Sequence, residues 1–237
     1  MNSQRIFLTG ASSGIGAATA RWLTQQGHRV FLVSRNLQPM SAWVAETGQE
    51  HALTFEADVT DPNALKNAVN SMIEHWGGVD VCIPNAGLGI FSPLEEAPLE
   101  DWHRMVDVNI KGVLNTLHAC LPSLLENKGL VVQIGSIAAR NVFANSGVYC
   151  ATKHAVLAIS ESLRIEYRDQ LAVTTINPGA VDTAFIDQTS NEALRESYRP
   201  QFEEGMSAQF IAEAIGLAIA SNGKGVFSEI TLRPDRR

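Results

Sequence analysis

The sequence of 237 residues lacks paired cysteines and lacks the residue spacings that hold metal ions. Its three cysteines, Cys82, Cys120 and Cys150, are isolated, and none belongs to a Cys-x-x-Cys motif. The six histidines show no metal-ligand spacing either. This pattern argues against a disulfide framework, predicts no metal site, and indicates buried thiols in a reducing cytosol.

Runs of basic residues and long apolar segments are also missing. The net charge of −7 argues against nucleic acid as a partner. No apolar segment approaches the length of a membrane span, and the amino terminus has no charged region followed by an apolar stretch. We therefore expect a cytoplasmic protein with no membrane partner and no signal peptide. The terminal pair Arg236-Arg237 is expected to be a frayed tail.

Short apolar runs alternate with amphipathic stretches from one end of the sequence to the other. Such alternation predicts strands joined by crossover helices, and hence an α/β fold with a parallel sheet and helices on both faces. No linker, repeat or low-complexity segment divides the chain, so we predict a single domain over residues 1–237. The seven predicted strands are residues 5–9, 29–34, 52–57, 79–83, 130–134, 172–176 and 227–232.

Helix boundaries are predicted by local signals between these strands. Asp61 is placed to cap the third helix, with Pro62 in its first position. A long helix over residues 99–126 is expected to end or kink at Pro122, because proline lacks the backbone donor that a helix interior needs.

Residues 184–205 interrupt the regular alternation, because they mix charged side chains with apolar ones such as Phe185 and Tyr198. Such a segment is compatible with a plain surface helix. It follows the carboxyl end of the sixth predicted strand, where ligands bind in open α/β sheets. We therefore predict a substrate lid over residues 184–205.

Tyr149 is followed four residues later by Lys153, and residues with this spacing share one face of a helix. A free tyrosine has a pKa of about 10 and exchanges protons poorly near neutrality, whereas a nearby positive charge lowers that pKa. The pair has two interpretations. It is either a solvated helix face or an acid/base catalyst in which Lys153 lowers the pKa of Tyr149.

A glycine-rich turn directly follows the first predicted strand and opens the first predicted helix. Residues 9–16 read Thr-Gly-Ala-Ser-Ser-Gly-Ile-Gly. Glycines at these positions permit a tight turn and let backbone N–H groups approach a pyrophosphate at the positive end of a helix. In an alternating α/β chain, this placement indicates nucleotide binding rather than a purely structural turn.

The end of the second predicted strand indicates which nucleotide binds. It carries Ser34 and Arg35 and lacks the acidic residue that usually meets a free ribose 2′-hydroxyl. Arg35 can pair bidentately with a 2′-phosphate, and Ser34 adds a hydroxyl donor. The alternative is a surface arginine at the end of a strand. The missing carboxylate favours NADP over NAD as the cofactor.

Further motifs follow in order along the sequence. They are Asp58-Val59 after the third strand, Pro84-Asn85-Ala86-Gly87 after the fourth, Asn109 in the long helix, Ser136 at the end of the fifth, and Asn177-Pro178-Gly179-Ala180-Val181-Asp182-Thr183 after the sixth. With the glycine-rich turn and the Tyr149/Lys153 pair, they make the sequence resemble the classical short-chain dehydrogenase/reductase family over nearly its whole length. The resemblance implies a Rossmann-type, doubly wound fold and an NADP-preferring oxidoreductase.

By this resemblance, hydride moves between the nicotinamide and a small alcohol or carbonyl substrate. Tyr149 exchanges the proton with the substrate oxygen, and Ser136 binds the same oxygen. Lys153 lowers the pKa of Tyr149 and binds the nicotinamide ribose, while Asn109 helps to hold a water that passes protons to Lys153. The cofactor contacts implied for NADP are Gly10, Ser12, Ser13, Gly14, Ile15, Gly16, Ser34, Arg35, Asp58, Val59, Asn85, Ala86, Gly87, Tyr149, Lys153, Pro178, Gly179, Val181 and Thr183.

Two departures from the family pattern are visible. Pro84 replaces an asparagine of the family motif. Proline is tolerated best at the end of a strand, where its missing N–H group is not needed. Residues 228–234 lack the glycine-rich finish of many relatives and are similar to the ending of NADP-dependent relatives that oxidise small 3-hydroxy acids, such as serine-type dehydrogenases. Family members are commonly tetramers, so a homo-oligomer, tetramer or dimer, is expected. The alternative function is a catalytically silent NADP-binding sensor or assembly protein.

Overall fold

Short apolar strands alternate with helices along the chain, as the sequence pattern predicts. The computed structural model describes residues 3–235, so the expectation for Arg236-Arg237 lies outside the described residues. Within residues 3–235 the strands are β1 (Arg5–Thr9), β2 (Arg29–Ser34), β3 (Ala52–Glu56), β4 (Val81–Ile83), β5 (Leu130–Ile134), β6 (Ala172–Pro178), β7 (Val181–Asp182), β8 (Met206–Ser207) and β9 (Glu229–Leu232).

Helices follow most of the strands and return the chain to the same end of the sheet. A π-helical segment, Asp107–Lys111, joins the fourth helix to the fifth, and short 3₁₀ turns cover Ile137–Ala139 and Ala184–Gln188. In the same described residues the α-helices are α1 (Gly14–Gln25), α2 (Gln38–Thr47), α3 (Pro62–Trp76), α4 (Leu99–Val106), α5 (Gly112–Glu126), α6 (Gly147–Glu166), α7 (Glu192–Glu203) and α8 (Ala208–Ser221).

The main sheet of the described chain has seven strands in the order β3-β2-β1-β4-β5-β6-β9, and every neighbouring pair is parallel. The predicted seven-stranded, doubly wound parallel sheet is therefore confirmed. The strand order reverses direction between β1 and β4. Ligands of such sheets bind outside the carboxyl ends of the strands at this reversal, and the site lies there.

Two apolar cores flank the sheet, because neighbouring strand residues such as Phe7 and Leu8 point to opposite faces. One core includes Leu23 of α1 and Ile215 of α8, and the other includes Leu117 of α5. Each large apolar side chain that is fully buried stabilises the fold by about 1.5–3 kcal/mol relative to exposure. Both faces are thus covered, which holds the strand ends in fixed positions around the site.

The predicted boundaries agree with the structure to within two residues at every end of the seven strands. Asp61 caps α3 as predicted, since its carboxylate accepts hydrogen bonds from the backbone N–H groups of Asn63 at 2.9 Å and Ala64 at 3.1 Å. β4 ends at Ile83, so Pro84 follows the strand and removes no donor from it.

The long helix predicted over residues 99–126 differs from the structure. The chain stays helical through Pro122, and α5 runs on to its end at Glu126. The departure from α-helical geometry lies earlier, in the π-helical segment Asp107–Lys111. π-Helical turns of this kind often occur at functional sites, and this one carries Asn109.

Residues 184–205, here called the lid segment, form the Ala184–Gln188 turn and α7. The chain just before and just after the lid segment forms a separate pair of parallel strands, β7 and β8, in which Val181 pairs with Met206. This pairing ties both ends of the lid segment to one place beside the carboxyl end of β6.

Candidate active site

The glycine-rich turn between β1 and α1 packs closely against the residues after β4. Gly10 and Gly14 have positive φ angles of 66° and 52°, a region that favours glycine. A Cβ atom on Gly16 would lie 2.1 Å from the carbonyl oxygen of Gly10, so a larger residue does not fit. The side-chain amide of Asn85 donates to the carbonyl oxygens of Thr9 and Gly10 at 2.9 and 3.1 Å. Asn85 therefore holds the turn in position with its own side chain.

Arg35 stands at the end of β2 with 75% of its side chain exposed. Its guanidinium lies 3.9 Å from the carboxylate of Asp58, and a pair of exposed groups at this distance is weak. The hydroxyl of Ser34 donates a hydrogen bond of 2.8 Å to the hydroxyl of Ser12 in the glycine-rich turn. Arg35, Ser34 and Ser12 line one cavity, and together they provide a donor set that fits a phosphate ester.

The ends of β5 and β6 bring Ser136 beside Tyr149. The hydroxyl of Ser136 donates a hydrogen bond of 3.4 Å to the carbonyl oxygen of Pro178, and Ser136 lines the same cavity as Tyr149, whose pKa it lowers. Farther along, Thr183 lies beside the glycine-rich turn, since a Cβ atom on Gly14 would be 3.4 Å from its methyl carbon. Residues that are far apart in the sequence thus meet at one edge of the sheet.

Tyr149 and Lys153 converge near the start of α6. The ammonium group of Lys153 lies 5.9 Å from the centre of the Tyr149 ring and donates a hydrogen bond of 2.9 Å to the carbonyl oxygen of Ile134. Burial raises the pKa of Tyr149 to about 12, and this effect outweighs the lowering caused by the hydrogen bond with Ser136. Burial also lowers the pKa of Lys153 to about 8. The expectation of a lowered pKa for Tyr149 is therefore wrong for the polypeptide itself, because removal from water disfavours the phenolate.

Asn109 lies behind the wall of the site rather than in it. Its side-chain nitrogen donates to the carbonyl oxygen of Leu88 at 2.8 Å and to the hydroxyl of Thr152 at 3.1 Å, and its oxygen accepts from the N–H of Leu88 at 2.9 Å. The Thr152 hydroxyl in turn donates to the carbonyl oxygen of Tyr149 at 2.7 Å. Asn109 therefore connects the loop after β4 to the helical turn that carries Tyr149.

Two threonines position the site and are missing from the residues predicted for it. Thr152 is buried between Asn109 and the backbone of α6, and no local motif marks it. The Thr9 hydroxyl accepts hydrogen bonds from the N–H groups of Asn85 and Ala86, both at 3.1 Å. Its place as the first residue of the glycine-rich turn was the available signal.

One cavity of ≈ 640 Å³ joins these parts. Its lining contains every residue predicted to contact the cofactor, and it contains Ser136 as well. Asn109 is the one predicted site residue outside that lining. The cavity runs from the exposed guanidinium of Arg35, past the start of α1, to Tyr149, so its donor groups fit an extended dinucleotide with several phosphates.

Beyond Tyr149 the lining becomes aromatic. Phe91, from the loop after β4, and Phe185, Tyr198 and Phe202, from the lid segment, line the cavity there. Phe91 was not predicted as a site residue, because nothing in its local sequence distinguishes it from a core phenylalanine. The predicted lid range includes the other three.

Within residues 3–235 no group of three or more His, Cys, Asp or Glu side chains is arranged to hold a metal ion. None of the described helices is both long and apolar enough to cross a lipid bilayer. Cys82, Cys120 and Cys150 are free thiols and are buried, as the sequence predicts.

Known proteins resemble this chain over almost its whole length. A family described as short chain dehydrogenase matches residues 4–194. An uncharacterized oxidoreductase of Staphylococcus saprophyticus is 34% identical over 233 residues, which cover 97% of this chain and 95% of that protein. An uncharacterized oxidoreductase of Staphylococcus epidermidis is 35% identical over 229 residues, 96% of this chain and 95% of its own.

Solved structures share the fold and were obtained with related ligands. An alcohol dehydrogenase from the archaeon Thermococcus sibiricus, complexed with 5-hydroxy-NADP, has a TM-score of 0.88 and 31% identity, covering 100% of this chain and 98% of that chain. The closed form of a serine dehydrogenase complexed with NADP⁺ has a TM-score of 0.89 and 28% identity, covering 97% of this chain and 94% of that chain.

Proposed function

The chain belongs to the short-chain dehydrogenase family and is an oxidoreductase, and we propose that it transfers hydride between NADP(H) and a small alcohol or carbonyl substrate. In this proposal Tyr149 is the acid/base catalyst. The observation that carries the proposal is the shared cavity, whose lining includes the glycine-rich turn at one end and Ser136, Tyr149 and Lys153 together at the other.

The chain's own groups suit carbonyl reduction. When bound, the nicotinamide cofactor supplies the hydride and, in its oxidised form, a positive charge. Because burial raises the pKa of Tyr149 to about 12, its phenol is protonated at neutral pH and can donate a proton to the carbonyl oxygen. Ser136 is placed to hydrogen-bond the same oxygen. Lys153, with a pKa of about 8, carries a charge at neutral pH and would bind the ribose hydroxyl groups of the cofactor.

Arg35 supports NADP over NAD as the cofactor. Its guanidinium is exposed and weakly paired. The end of β2 carries no acidic residue that would bind a free ribose 2′-hydroxyl. A 2′-phosphate would accept two hydrogen bonds from the guanidinium of Arg35 and a third from the hydroxyl of Ser34. The structural relatives with NADP⁺ and 5-hydroxy-NADP agree with this choice.

The lid segment completes the proposal. We propose that the chain is one domain in which residues 184–205 cover the substrate after it enters beside Tyr149. The segment is tied at both ends by the β7–β8 pair, and its aromatic side chains line the cavity. Closure of such a segment would exclude water from the reacting atoms.

Consumption of NADPH in the presence of carbonyl compounds tests this function. The purified protein is mixed with NADPH and a panel of ketones and aldehydes, and the nicotinamide absorbance is followed; secondary alcohols with NADP⁺ test the reverse direction. Carbonyl-dependent oxidation of NADPH is the expected result. Tight NADPH binding without turnover of any member of either panel would contradict the proposal and support a silent NADP-binding protein.

A further inference from the structure

Five aromatic rings meet at the substrate end of the cavity. Phe91 is at the centre, with ring-centre distances of 5.8 Å to Tyr149, 6.3 Å to Phe185, 5.7 Å to Tyr198 and 6.4 Å to Phe202. Tyr149 and Phe185 also meet edge to face at 5.6 Å. All five rings line the cavity, so they form a continuous aromatic surface beside the phenol that acts on the substrate.

The loop after β4 is shaped to admit one of these rings. A Cβ atom on Gly89 would lie 2.6 Å from the ring of Phe185, so the absence of a side chain there lets the ring reach Tyr149. Phe91, the central ring, is only 6% exposed, whereas Phe185 and Phe202 remain half-buried. Rings that stay partly open to a cavity can stack against a flat apolar ligand.

Positive charge is scarce at this end of the cavity. Among the described residues that line the cavity, the cations are Arg35, at the cofactor end, and Lys153, whose ammonium donates to the carbonyl oxygen of Ile134. The two arginines of the lid segment point to carboxylates instead. Arg195 lies 3.7 Å from Glu192 and from Glu196, and Arg199 lies 3.6 Å from Asp187.

The lid segment itself carries five acidic residues and two basic ones. A substrate carboxylate would therefore leave water without gaining a free side-chain cation beside the rings, and it would approach a segment of the same sign of charge. Burial of an unpaired charge is costly, whereas a neutral ring gains contact with the aromatic surface. Besides Tyr198, the polar side chains that the lid segment adds to the lining are Gln188 and Gln201, which are uncharged.

We infer that the substrate is an uncharged carbonyl compound, or the corresponding secondary alcohol, that carries an aromatic or similarly flat apolar ring near the reacting carbon. Small keto or hydroxy acids are selected against. The ring lies among Phe91, Phe185 and Phe202, and the carbonyl oxygen lies at Tyr149 and Ser136. This inference rests on the proposed function and names the substrate class of the same site.

Binding to the NADP⁺ form separates this inference from the reaction itself, because the oxidised cofactor cannot reduce a ketone. The probes are 4-phenylbutan-2-one and 4-oxopentanoate, two methyl ketones that differ in having a ring or a carboxylate. Calorimetry on the protein saturated with NADP⁺ should give at least about tenfold tighter binding of the phenyl ketone. Equal affinity, or tighter binding of the acid, would overturn the inference.

Variants test whether the rings are responsible. Phe185→Ala should weaken the binding of the phenyl ketone by about fivefold or more and leave NADP⁺ binding unchanged. Phe202→Leu is a milder second variant for the case in which the first does not fold. Phe210→Ala is the matched control, because Phe210 is 46% exposed on α8 and does not line the cavity. Unchanged phenyl-ketone affinity in both folded cavity variants would overturn the inference.

The effect of the missing positive charge is tested by adding a lysine to the cavity lining and measuring the affinity for the acid. Gln201→Lys places an ammonium group in the lining and should tighten 4-oxopentanoate by about fivefold or more. Unchanged affinity for 4-oxopentanoate in Gln201→Lys would contradict the claim that the lack of a cation disfavours acidic substrates. Turnover with NADPH is then measured separately. Ring-selective binding without turnover would contradict the proposed function alone, whereas turnover that favours 4-oxopentanoate would contradict the inferred substrate class alone.

Discussion

The cavity has two halves that are built in different ways. The cofactor half is formed by the glycine-rich turn, Arg35 and the ends of β3 to β6, whereas the substrate half is formed by the aromatic cluster around Phe91. In the cofactor half, backbone geometry and short polar side chains set the shape, as at Gly16, where even a Cβ atom does not fit. In the substrate half, large side chains from separate segments set it.

This difference indicates which properties each half can vary. A backbone-defined wall tolerates few substitutions, because a change alters the path of the chain. A wall of side chains on a lid segment can change by single substitutions without disturbing the sheet. We therefore expect variants in the cofactor half to alter the cofactor that binds, and variants in the substrate half to alter the substrate.

The largest effect is expected at Tyr149, where the two halves meet. Tyr149→Phe keeps the ring but removes the proton donor, so turnover should fall by about 10²–10⁴-fold while NADPH affinity is nearly unchanged. Steady-state kinetics and calorimetric titration measure the two quantities. Tyr167→Phe is the control, because Tyr167 follows the end of α6 and does not line the cavity. Normal turnover in Tyr149→Phe would remove this residue from the mechanism.

The next effect concerns the cofactor half alone. Arg35→Asp places a carboxylate where the 2′-phosphate is expected, so NADPH affinity should fall by about 100-fold and NADH affinity should change little. Fluorescence titration with both cofactors gives the ratio. Arg168→Asp replaces an arginine whose side chain is 80% exposed and provides the control. Equal weakening of NADPH and NADH by Arg35→Asp would contradict the phosphate role.

Lys153, which lies where the two halves meet, makes the free energy of unfolding depend on pH. Its pKa of about 8 lies below the ordinary value of 10.5 because of burial. Below pH 8 the lysine is charged in both the folded and unfolded states, and between pH 8 and 10 mainly the unfolded state keeps its proton. Rising pH in this window therefore favours the folded wild type relative to Lys153→Met, by about 2 kcal/mol.

Denaturant unfolding of the wild type and Lys153→Met across this window measures the difference. The range stops at pH 10, because ionisation of Tyr149 acts in the opposite direction at higher pH. Lys111→Met, which replaces a lysine that is 65% exposed, should show no such trend. A constant difference between the wild type and Lys153→Met would mean that the ammonium group is not penalised by burial.

The smallest effect is expected in the substrate half. The hydroxyl of Tyr198 donates to the carbonyl oxygen of Ala144 at 3.3 Å and accepts from the side chain of Asn145 at 3.2 Å, which connects α7 to the loop before α6. Tyr198→Phe should raise the KM of a ketone about two- to fivefold and leave NADPH affinity unchanged. Ser197→Ala, at an exposed neighbouring position, is the control. A change in NADPH affinity would argue that the two halves are coupled through the lid segment.

The cofactor half could be predicted from the sequence because its signals are local. The glycine-rich turn follows β1 directly, and Ser34-Arg35 ends β2, so the strand pattern alone brings both to one edge of the sheet. The sheet was predictable for the same reason, since buried parallel strands appear as short apolar runs. The π-helical segment at Asp107–Lys111 was not, because no local sequence signal marks it, and its residue Asn109 bonds to Leu88 and Thr152, which are distant in the sequence.

The substrate half and the proton affinities depend on tertiary burial. Phe91 has no distinguishing neighbours in the sequence, and only its contacts with Tyr198 and Phe202 in the folded chain identify it as part of the site. The helical spacing of Tyr149 and Lys153 indicated their proximity, but spacing contains no information about water. Burial raises one pKa and lowers the other, and this reversed the expected direction for Tyr149.

Transfer of deuterium from the cofactor to a carbonyl carbon would show directly whether this protein moves hydride between NADPH and its substrate. The protein is incubated with NADPH carrying two deuterium atoms at C4 of the nicotinamide and with 4-phenylbutan-2-one, and the product is analysed by mass spectrometry. We expect an alcohol with one deuterium on the former carbonyl carbon, formed by the wild type and formed far more slowly by Tyr149→Phe. An alcohol without deuterium, or no alcohol although both ligands bind, would show that hydride does not pass from NADPH to the carbonyl carbon at this site.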